Sequence, residues 1–238
     1  MYINNATQRF SSRVENYIKY RPHYPKQIIN FLRENCQLTP ASIVADIGSG
    51  TGISSQLFLQ NGNLVYGTEP NREMREAGER LLKRYDNFKS IDGVAEATTL
   101  ANASADLIIA GQAFHWFDRA KAKFEFKRIL KPQGWVVLMW NDRRTNSTSF
   151  LIAYEQLLQT YGTDYEQVNH KQIDKTIIDS FLGTGNYQQT NFYNYQTFNF
   201  EGLKERLLSS WLSDKTQIAL TPTPLPFWER GFQLKTLD

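Results

Sequence analysis

The feature that most constrains this chain is a short apolar run that ends in a glycine-rich turn. Residues 43–47 read Ile-Val-Ala-Asp-Ile, and residues 48–52 read Gly-Ser-Gly-Thr-Gly. A β-branched apolar run bounded by glycine is typical of a short buried strand, and glycine lets the backbone turn sharply and approach a ligand. A helical pattern begins at Ile53 and stops at Asn61-Gly62, and two more helices are predicted over 27–35 and over 71–85, the second capped by Asn71. Strand, glycine turn and helix N-terminus together predict a nucleotide-binding corner.

The spacing within this corner indicates which kind of ligand it suits. A dinucleotide fingerprint reads G-x-G-x-x-G, whereas this turn reads G-x-G-x-G with Asp46 two residues before its first glycine. A carboxylate there would repel a pyrophosphate and favours a ligand with a cationic end. Glu69 follows a second apolar run at 64–67, where an acid can bind ribose hydroxyls. A tight turn with no ligand is the alternative.

These residues resemble the first two motifs of the class I S-adenosylmethionine-dependent methyltransferases. The phrase Tyr20-Arg21-Pro22-x-Tyr24-Pro25 and the pair His115-Trp116 resemble the small-molecule subgroup called methyltransferase type 11, which includes the trans-aconitate methyltransferase-like enzymes. The resemblance implies S-adenosyl-L-methionine as cofactor. It also implies an α/β fold of the Rossmann-like kind, with a doubly wound, mostly parallel sheet and helices on both faces.

The same resemblance implies a cofactor site assembled from several segments. Asp92-Gly93-Val94-Ala95-Glu96 matches the G-x-A-E motif of the family, which meets the adenine amine, although a solvated loop is the alternative for Glu96. Met74 would touch the adenine side, unless it only fills the core. The implied cofactor residues are Arg21, Asp46, Gly48, Ser49, Gly50, Thr51, Gly52, Glu69, Pro70, Met74, Ala95, Glu96, Gln112 and Ala113.

The acceptor side is predicted at the ends of the fourth and fifth strands and in the segment before the glycine turn. His115 and Trp116 follow the fourth strand, where they would position the substrate. His115 could act as a general base or be a hydrogen-bonded structural histidine. The other candidates are the aromatic residues Tyr17, Tyr20 and Tyr24 and the polar residues Asn141 and Arg143. The alternatives are tyrosines that cover apolar surface and a solvated charge run.

Composition narrows the class of partner. The 238 residues include 27 basic and 24 acidic side chains, a net charge of +3 that favours neither a nucleic-acid nor a membrane partner. One cysteine and three histidines make a zinc cluster improbable. The N-terminus lacks the basic and apolar regions of a leader, and no run approaches the length of a membrane span. We therefore expect a cytoplasmic protein with a small-molecule substrate, for which the resemblance suggests a carboxylate held near Asn141 and Arg143; the oligomeric state stays open.

We predict one methyltransferase domain over 1–238, without a second unit. Its predicted parts are an N-terminal cap (1–40), a cofactor-binding core (41–141), a lid insertion (142–186), a C-terminal strand and helix (187–213) and an atypical proline-rich tail (214–238). Within them, the pattern predicts a turn at 131–134 before the fifth strand and the C-terminal strand across 187–200. The lid would cover the substrate pocket, as insertions after strand five do in the family that the chain resembles.

The C-terminus departs from the pattern of that family, whose sheet ends with an antiparallel seventh strand. Pro222, Pro224 and Pro226 cannot donate ladder hydrogen bonds, so we expect this strand to be missing and only 232–237 to remain. The edge of strand five would then be open or badly paired, although the cofactor corner, which lies in the first half of the chain, could survive. This expectation leaves a second hypothesis, a non-catalytic remnant that binds the cofactor or nothing. An NAD-dependent oxidoreductase is the third.

Overall fold

The computed structural model describes residues 18, 20–161, 173–208 and 228–236, and for 228–236 it describes the backbone alone. Tyr17 and the prolines of the tail lie outside these ranges. The strands are β1 (Ile43–Ile47), β2 (Leu64–Thr68), β3 (Phe88–Ile91), β4 (Ala105–Gly111), β5 (Leu130–Arg143), β6 (Gln189–Thr190), β7 (Tyr193–Gln196) and β8 (Trp228–Thr236). The helices are α1 (Gln27–Asn35), α2 (Ile53–Gln60), α3 (Arg72–Leu82), α4 (Arg119–Ile129), α5 (Ser149–Tyr161), α6 (Lys175–Leu182) and α7 (Phe200–Leu208).

The strands form one sheet in the order β3-β2-β1-β4-β5-β8-β6, and β7 also pairs with β8. Strands β1 to β5 are parallel to their neighbours, whereas β8 is antiparallel to β5, β6 and β7. The direction of winding reverses between β1 and β4. Open α/β sheets bind ligands outside the carboxyl ends of their strands at such a reversal. The predicted doubly wound, mostly parallel sheet is confirmed, and its topology places the glycine turn after β1 at this crevice.

Apolar side chains cover both faces of the sheet. Val44 belongs to one core cluster, while Ala45 and Ile47 belong to a second cluster on the other face. Helix α1 packs Ile28 and Leu32 into the first cluster, and α4 packs Phe126 and Ile129 into the second. Strands buried on two faces read as continuous apolar runs rather than alternating ones. This explains why β1, β4 and β5 are recognisable in the sequence as short apolar stretches.

The expectation that the last strand is missing is wrong. Strand β8 has nine residues and pairs with β5 from Val137 opposite Thr236 to Arg143 opposite Arg230. The proline rule holds, but all three tail prolines precede Trp228, so it does not apply to the strand itself. Assigning residues 228–231 to the proline-rich tail makes the remaining strand look too short. The edge of β5 is paired along seven residues and is not open.

Two other elements differ in detail from the prediction. The strand expected across 187–200 is two short strands, β6 and β7, with residues 191 and 192 between them. The turn expected at 131–134 lies inside the bounds of β5 as an irregularity. Ala105 faces Leu130 and Leu107 faces Trp135, so four residues of β5 lie opposite one residue of β4, an excess of three, and Gln133 has φ +65°.

Candidate active site

The turn after β1 depends on glycine at three positions. Gly48, Gly50 and Gly52 have φ values of +72°, +55° and +81°, in the left-handed region that disfavours side chains. A Cβ at Gly48 would lie 2.6 Å from the Cβ of Ala113, and one at Gly52 would lie 2.4 Å from Leu82 Cδ1. The turn is therefore packed directly against the segment after β4 and against the end of α3.

Four of the five backbone N–H groups of this turn, those of residues 48, 49, 50 and 52, are bonded within the protein. Gly48 and Ser49 both donate to the carbonyl oxygen of Thr68, at 2.8 and 3.1 Å. Gly50 donates to Glu69 Oε2 at 2.9 Å, and the last glycine of the turn donates to the carbonyl of Ser49 at 2.8 Å. A phosphate site at a helix N-terminus needs such donors free to face the anion. This turn instead uses them to hold its own shape and to orient a carboxylate.

Asp46 is the buried acid of the site. Its side chain is fully buried, and its Oδ2 accepts hydrogen bonds from the hydroxyls of Ser54 and Ser55, both at 2.6 Å. Its Oδ1 has no hydrogen-bond partner in the described part of the chain. Burial raises the pKa of this carboxyl to about 6, against which the two serines act in the lowering direction. An unsatisfied buried carboxylate oxygen is the group that a cationic ligand atom would satisfy.

Glu69 stands at the carboxyl end of β2, next to the turn. Its Oε2 accepts from Gly50 N and its Oε1 from Asn71 N at 2.8 Å, so both oxygens are fixed in place. Burial raises the pKa of Glu69, and the negative charge of Asp46 acts in the same direction. Each carboxylate oxygen has a further lone pair, so the group can still accept hydroxyl hydrogen bonds from a ligand. Ribose binding by Glu69 stays a prediction.

Helix α3 forms one wall of the turn. Asn71 caps it as predicted, with its side chain accepting from Met74 N at 2.8 Å. Met74 is buried, and its Cε would lie 3.3 Å from a Cβ on Gly50. Pro70, just before the helix, is exposed. The structure adds Gly78, which sequence reasoning missed: a Cβ there would lie 3.2 Å from the carbonyl oxygen of Gly50.

The loops after β3 and β4 bring further predicted residues towards the same end of the sheet. Ala95 is buried, and Glu96 accepts a hydrogen bond from Asp118 N at 2.6 Å, which ties its loop to the start of α4. Gln112 has φ +59° and donates its backbone N–H to Met139 O at 2.9 Å, while the adjacent Ala113 packs on the glycine turn. Glu96 thus has a structural bond whether or not it contacts a ligand.

His115 and Trp116 lie in a short 3-10 helix directly after β4. Their ring centroids are 4.9 Å apart, and both side chains are half-buried. The neighbouring Phe114 is fully buried and packs edge-on against Phe181 of α6 at 4.7 Å and against Trp140 of β5 at 6.3 Å. The histidine–tryptophan pair is therefore held at the carboxyl end of β4 by an aromatic cluster beneath it.

The segment before α1 also reaches this end of the sheet. Tyr24 is buried, and a Cβ at Gly111 would lie 2.7 Å from the Tyr24 hydroxyl. The hydroxyl therefore reaches the last residue of β4. Arg21 is half-buried, and the carbonyl oxygen of Tyr20 accepts from Gln196 Nε2 at 3.2 Å. The structure brings Tyr20 to Tyr24 next to β7, a neighbour that sequence reasoning did not predict.

Arg143 and Asn141, predicted for a substrate carboxylate, have partners within the protein. Arg143 forms an ion pair with Glu155 of α5, and its guanidinium stacks over the ring of Tyr154 at 5.0 Å. Asn141 Oδ1 accepts from Asn194 Nδ2 at 3.3 Å. Because Glu155 balances the charge of Arg143, a substrate carboxylate would have to share this cation with Glu155.

Residues 18, 20–161, 173–208 and 228–236 contain no group of three or more His, Cys, Asp or Glu side chains placed to hold a metal ion. Within the same ranges, no helix combines the length and the apolar character required to cross a membrane.

The open sheet, the glycine turn and the two acids at the ends of β1 and β2 are features of α/β proteins that bind nucleoside-type ligands. The family profile described as "Methyltransferase domain" matches residues 45–138. An uncharacterized methyltransferase of Mycobacterium tuberculosis is 34% identical over 188 residues, which cover 79% of this chain and 71% of the relative. The chain belongs to the class I S-adenosylmethionine-dependent methyltransferases.

Other comparisons agree with this assignment. An uncharacterized methyltransferase of Schizosaccharomyces pombe is 31% identical over 151 residues, which cover 63% of this chain and 59% of that relative. A solved structure described as a candidate methyltransferase from an antibiotic biosynthesis pathway of Anabaena variabilis has a TM-score of 0.60 at 19% identity, covering 92% of this chain and 98% of its own. At that identity the likeness supports the fold alone. The trans-aconitate-like subgroup stays a prediction.

Proposed function

We propose that this protein binds S-adenosyl-L-methionine at the turn after β1 and transfers its methyl group to a small-molecule acceptor. The observation that carries the proposal is the combination of engaged N–H groups in the turn with the unpartnered buried oxygen of Asp46. Such a site has four turn donors already bonded within the protein and an unpartnered carboxylate oxygen that can accept from a cation. S-adenosyl-L-methionine carries an ammonium group, a ribose and no phosphate.

The same observation weighs against an NAD-dependent oxidoreductase. A pyrophosphate on this turn would lie near Asp46 and Glu69, two buried acids whose raised pKa values already reflect poor solvation. The N–H groups of Gly48, Ser49 and Gly50 would have to leave their present acceptors to reach the phosphate oxygens. Both effects oppose a dinucleotide, in agreement with the G-x-G-x-G spacing.

The residues of the chain have three tasks in this proposal. Asp46 Oδ1 accepts from the ammonium group, and Glu69 accepts from the ribose hydroxyls. Met74 and Ala113 line the turn and exclude water. When bound, the cofactor supplies an already activated methyl group on its sulfonium. The protein therefore has mainly to orient the acceptor, which can contribute on the order of 7–11 kcal/mol in favourable cases.

The acceptor class is a further part of the proposal. The trans-aconitate resemblance supports a small carboxylate, for which no general base is required, so His115 and Trp116 would position the acceptor. The predicted lid, residues 142–186, contains α5 and α6, and α6 packs on the aromatic cluster under His115. We further propose a cytoplasmic protein of one domain, with no nucleic-acid or membrane partner.

A non-catalytic remnant was the main alternative, and it rested on the missing last strand. Strand β8 is present and pairs with β5 along seven residues, so that reason no longer applies.

The test is calorimetric titration of the purified chain with S-adenosyl-L-methionine, with NAD as the comparison ligand. We expect binding near the micromolar scale, about −8 kcal/mol, for S-adenosyl-L-methionine alone. The variants Asp46→Ala and Glu69→Ala should lose it, whereas Asp86→Ala, an exposed acid in the loop before β3, should bind as the parent does. Binding of NAD, or unchanged affinity in both site variants, would refute the proposal.

The acceptor is tested separately, with a panel of small carboxylic acids and detection of S-adenosylhomocysteine. Methyl transfer to an amine or a phenol, with none to any acid, would refute the carboxylate part and leave the cofactor part standing.

A further inference from the structure

Two segments far apart in the sequence meet along one line at the mouth of the candidate site. The first is the entrance segment, which we define as residues 20–25, before α1. The second is β7. Their contacts come from two carboxamide side chains of β7, Asn194 and Gln196, which bond to the backbone of the entrance segment.

Asn194 makes the central contact. Its Nδ2 donates to the carbonyl oxygen of His23 at 2.8 Å and to Asn141 Oδ1 at 3.3 Å. One amide group therefore joins the entrance segment to the carboxyl end of β5, next to the predicted acceptor site. Asn194 is half-buried, so water competes only in part for these bonds.

Gln196 makes the second contact three residues earlier in the entrance segment. Its Nε2 donates to the carbonyl oxygen of Tyr20 at 3.2 Å. The two bonds pin the backbone at Tyr20 and at His23, on either side of Arg21. The hydroxyl of Tyr24, the residue after the second bond, reaches Gly111 at the end of β4.

The side chains of β7 alternate between its two faces, and both carboxamides lie on the inner face. Tyr193 and Tyr195, on the other face, are 76% and 70% exposed, whereas Asn194 and Gln196 are half-buried. Strand β7 is in turn paired with β8, and β8 with β5. The two carboxamides therefore project from a strand that is anchored to the centre of the sheet.

In addition to these hydrogen bonds, one aromatic contact joins α1 to the residue before β7. Phe31 of α1 packs edge-on against Phe192, just before β7, with centroids 5.8 Å apart. This contact fixes α1, and with it the end of the entrance segment, against the strand that carries the carboxamides.

We propose that Asn194 and Gln196 are positioning residues for cofactor binding, which hold the entrance segment closed so that Arg21 and Tyr24 stand at the cofactor site before the ligand arrives. This inference rests on the proposed function. A segment already ordered in the free protein does not have to lose its conformational freedom on binding, and this saves part of the cost of association.

The test combines calorimetry with hydrogen exchange on the full chain. We expect Asn194→Leu or Gln196→Leu to weaken S-adenosyl-L-methionine binding about 2- to 10-fold, and the double variant more, because each change removes one or two hydrogen bonds of ordinary strength. Asn194→Asp keeps the shape but removes the donor, so it should behave like Asn194→Leu. The matched control is Tyr195→Ala, on the outer face of the same strand, which should bind as the parent does.

Hydrogen exchange distinguishes a loosened entrance segment from a general loss of stability. In the free variants the amides of Arg21, His23 and Tyr24 should exchange faster, while those of β5 remain as protected as in the parent. Loss of protection in β5 would indicate general destabilisation instead and would overturn the assignment. If the parent binds S-adenosyl-L-methionine and the double variant binds it with the same affinity, the inference about Asn194 and Gln196 is overturned while the proposed function stands. A parent that binds no S-adenosyl-L-methionine would refute the proposed function, and the inference with it.

Discussion

Replacing Asp46 by asparagine should make the free protein more stable while removing its affinity for the cofactor. Asp46 is fully buried, with a pKa raised to about 6 from an ordinary value of 3.8. A shift of roughly 2 pKa units means that burying the ionised carboxylate costs about 3 kcal/mol at neutral pH. The asparagine side chain would carry no charge, and its carbonyl oxygen can accept from Ser54 and Ser55 as the carboxylate does. The new NH₂ group would occupy the place of the unpartnered Oδ1, at a cost of about 1–2 kcal/mol.

The stability difference between parent and variant should depend on pH, in a direction set by the raised pKa of Asp46. Since the folded pKa lies above the unfolded one, proton binding favours the folded state. The associated stability is fully present below about pH 3.8 and is lost as the pH rises through about 6. The parent should therefore gain roughly 1 kcal/mol relative to Asp46→Asn between about pH 7.5 and about pH 5. Other groups titrate in both proteins, so their contributions largely cancel in the difference between the two free energies of unfolding. Glu69 is the exception, since the charge of Asp46 contributes to its raised pKa.

The assay is urea denaturation of parent and variant at several pH values, with calorimetric titration of the cofactor on the same samples. We expect the variant to be more stable by about 1–2 kcal/mol near neutral pH, with an advantage that shrinks or reverses on acidification. A variant that is less stable at neutral pH, by a margin that does not change with pH, would refute the reasoning. It would show that the carboxylate is ionised without penalty in the free protein.

Two further predictions concern the scaffold. Gly52→Ala should destabilise the protein by about 2 kcal/mol, because a φ of +81° is strained for alanine and the new Cβ would press on Leu82. Urea denaturation measures this loss of stability, and a loss below about 0.5 kcal/mol would contradict the prediction. Glu125→Gln should cost about 2 kcal/mol at neutral pH, because Arg128 first and then Thr98 lower the pKa of Glu125 to about 2. That stability is present above about pH 4.5 and is lost as the pH falls through about 2, so a variant difference that persists in strong acid would contradict the assignment.

The elements that the sequence predicted well carry local signals. Helix α1 has the predicted bounds of 27–35, and α2 ends at the predicted stop of Asn61-Gly62. Periodicity and capping residues act over a few positions, so they can be recognised without knowing the rest of the fold. Strand β8 is different, because its pairing with β5 joins residues about ninety positions apart. Its own pattern, with apolar Trp228, Phe232 and Leu234 alternating with polar residues, was a usable signal that the nearby prolines obscured.

The same division applies to the site. Asp46, Glu69 and the glycines were predictable because they lie next to one another or at the end of a recognisable strand. The residues that complete the site were not. Ser54 and Ser55 are polar residues on a buried helix face, which indicates that their hydroxyls have hydrogen-bond partners. Gly78 is a glycine within a helical pattern. Their partners became visible only once the elements had been packed together.

The C-terminal strand and the cofactor corner are physically connected, although the sequence suggested that the corner could survive without the strand. Strand β8 holds β7, and the carboxamides of Asn194 and Gln196 on β7 hold the backbone of the entrance segment. The glycine turn makes its own hydrogen bonds and needs none of these contacts. Damage to β7 or β8 should therefore leave the turn folded while it loosens the residues that cover the ligand. Such damage would weaken cofactor affinity before it reduces the stability of the core, because the free energy of the core lies mainly in apolar burial around β1, β4 and β5.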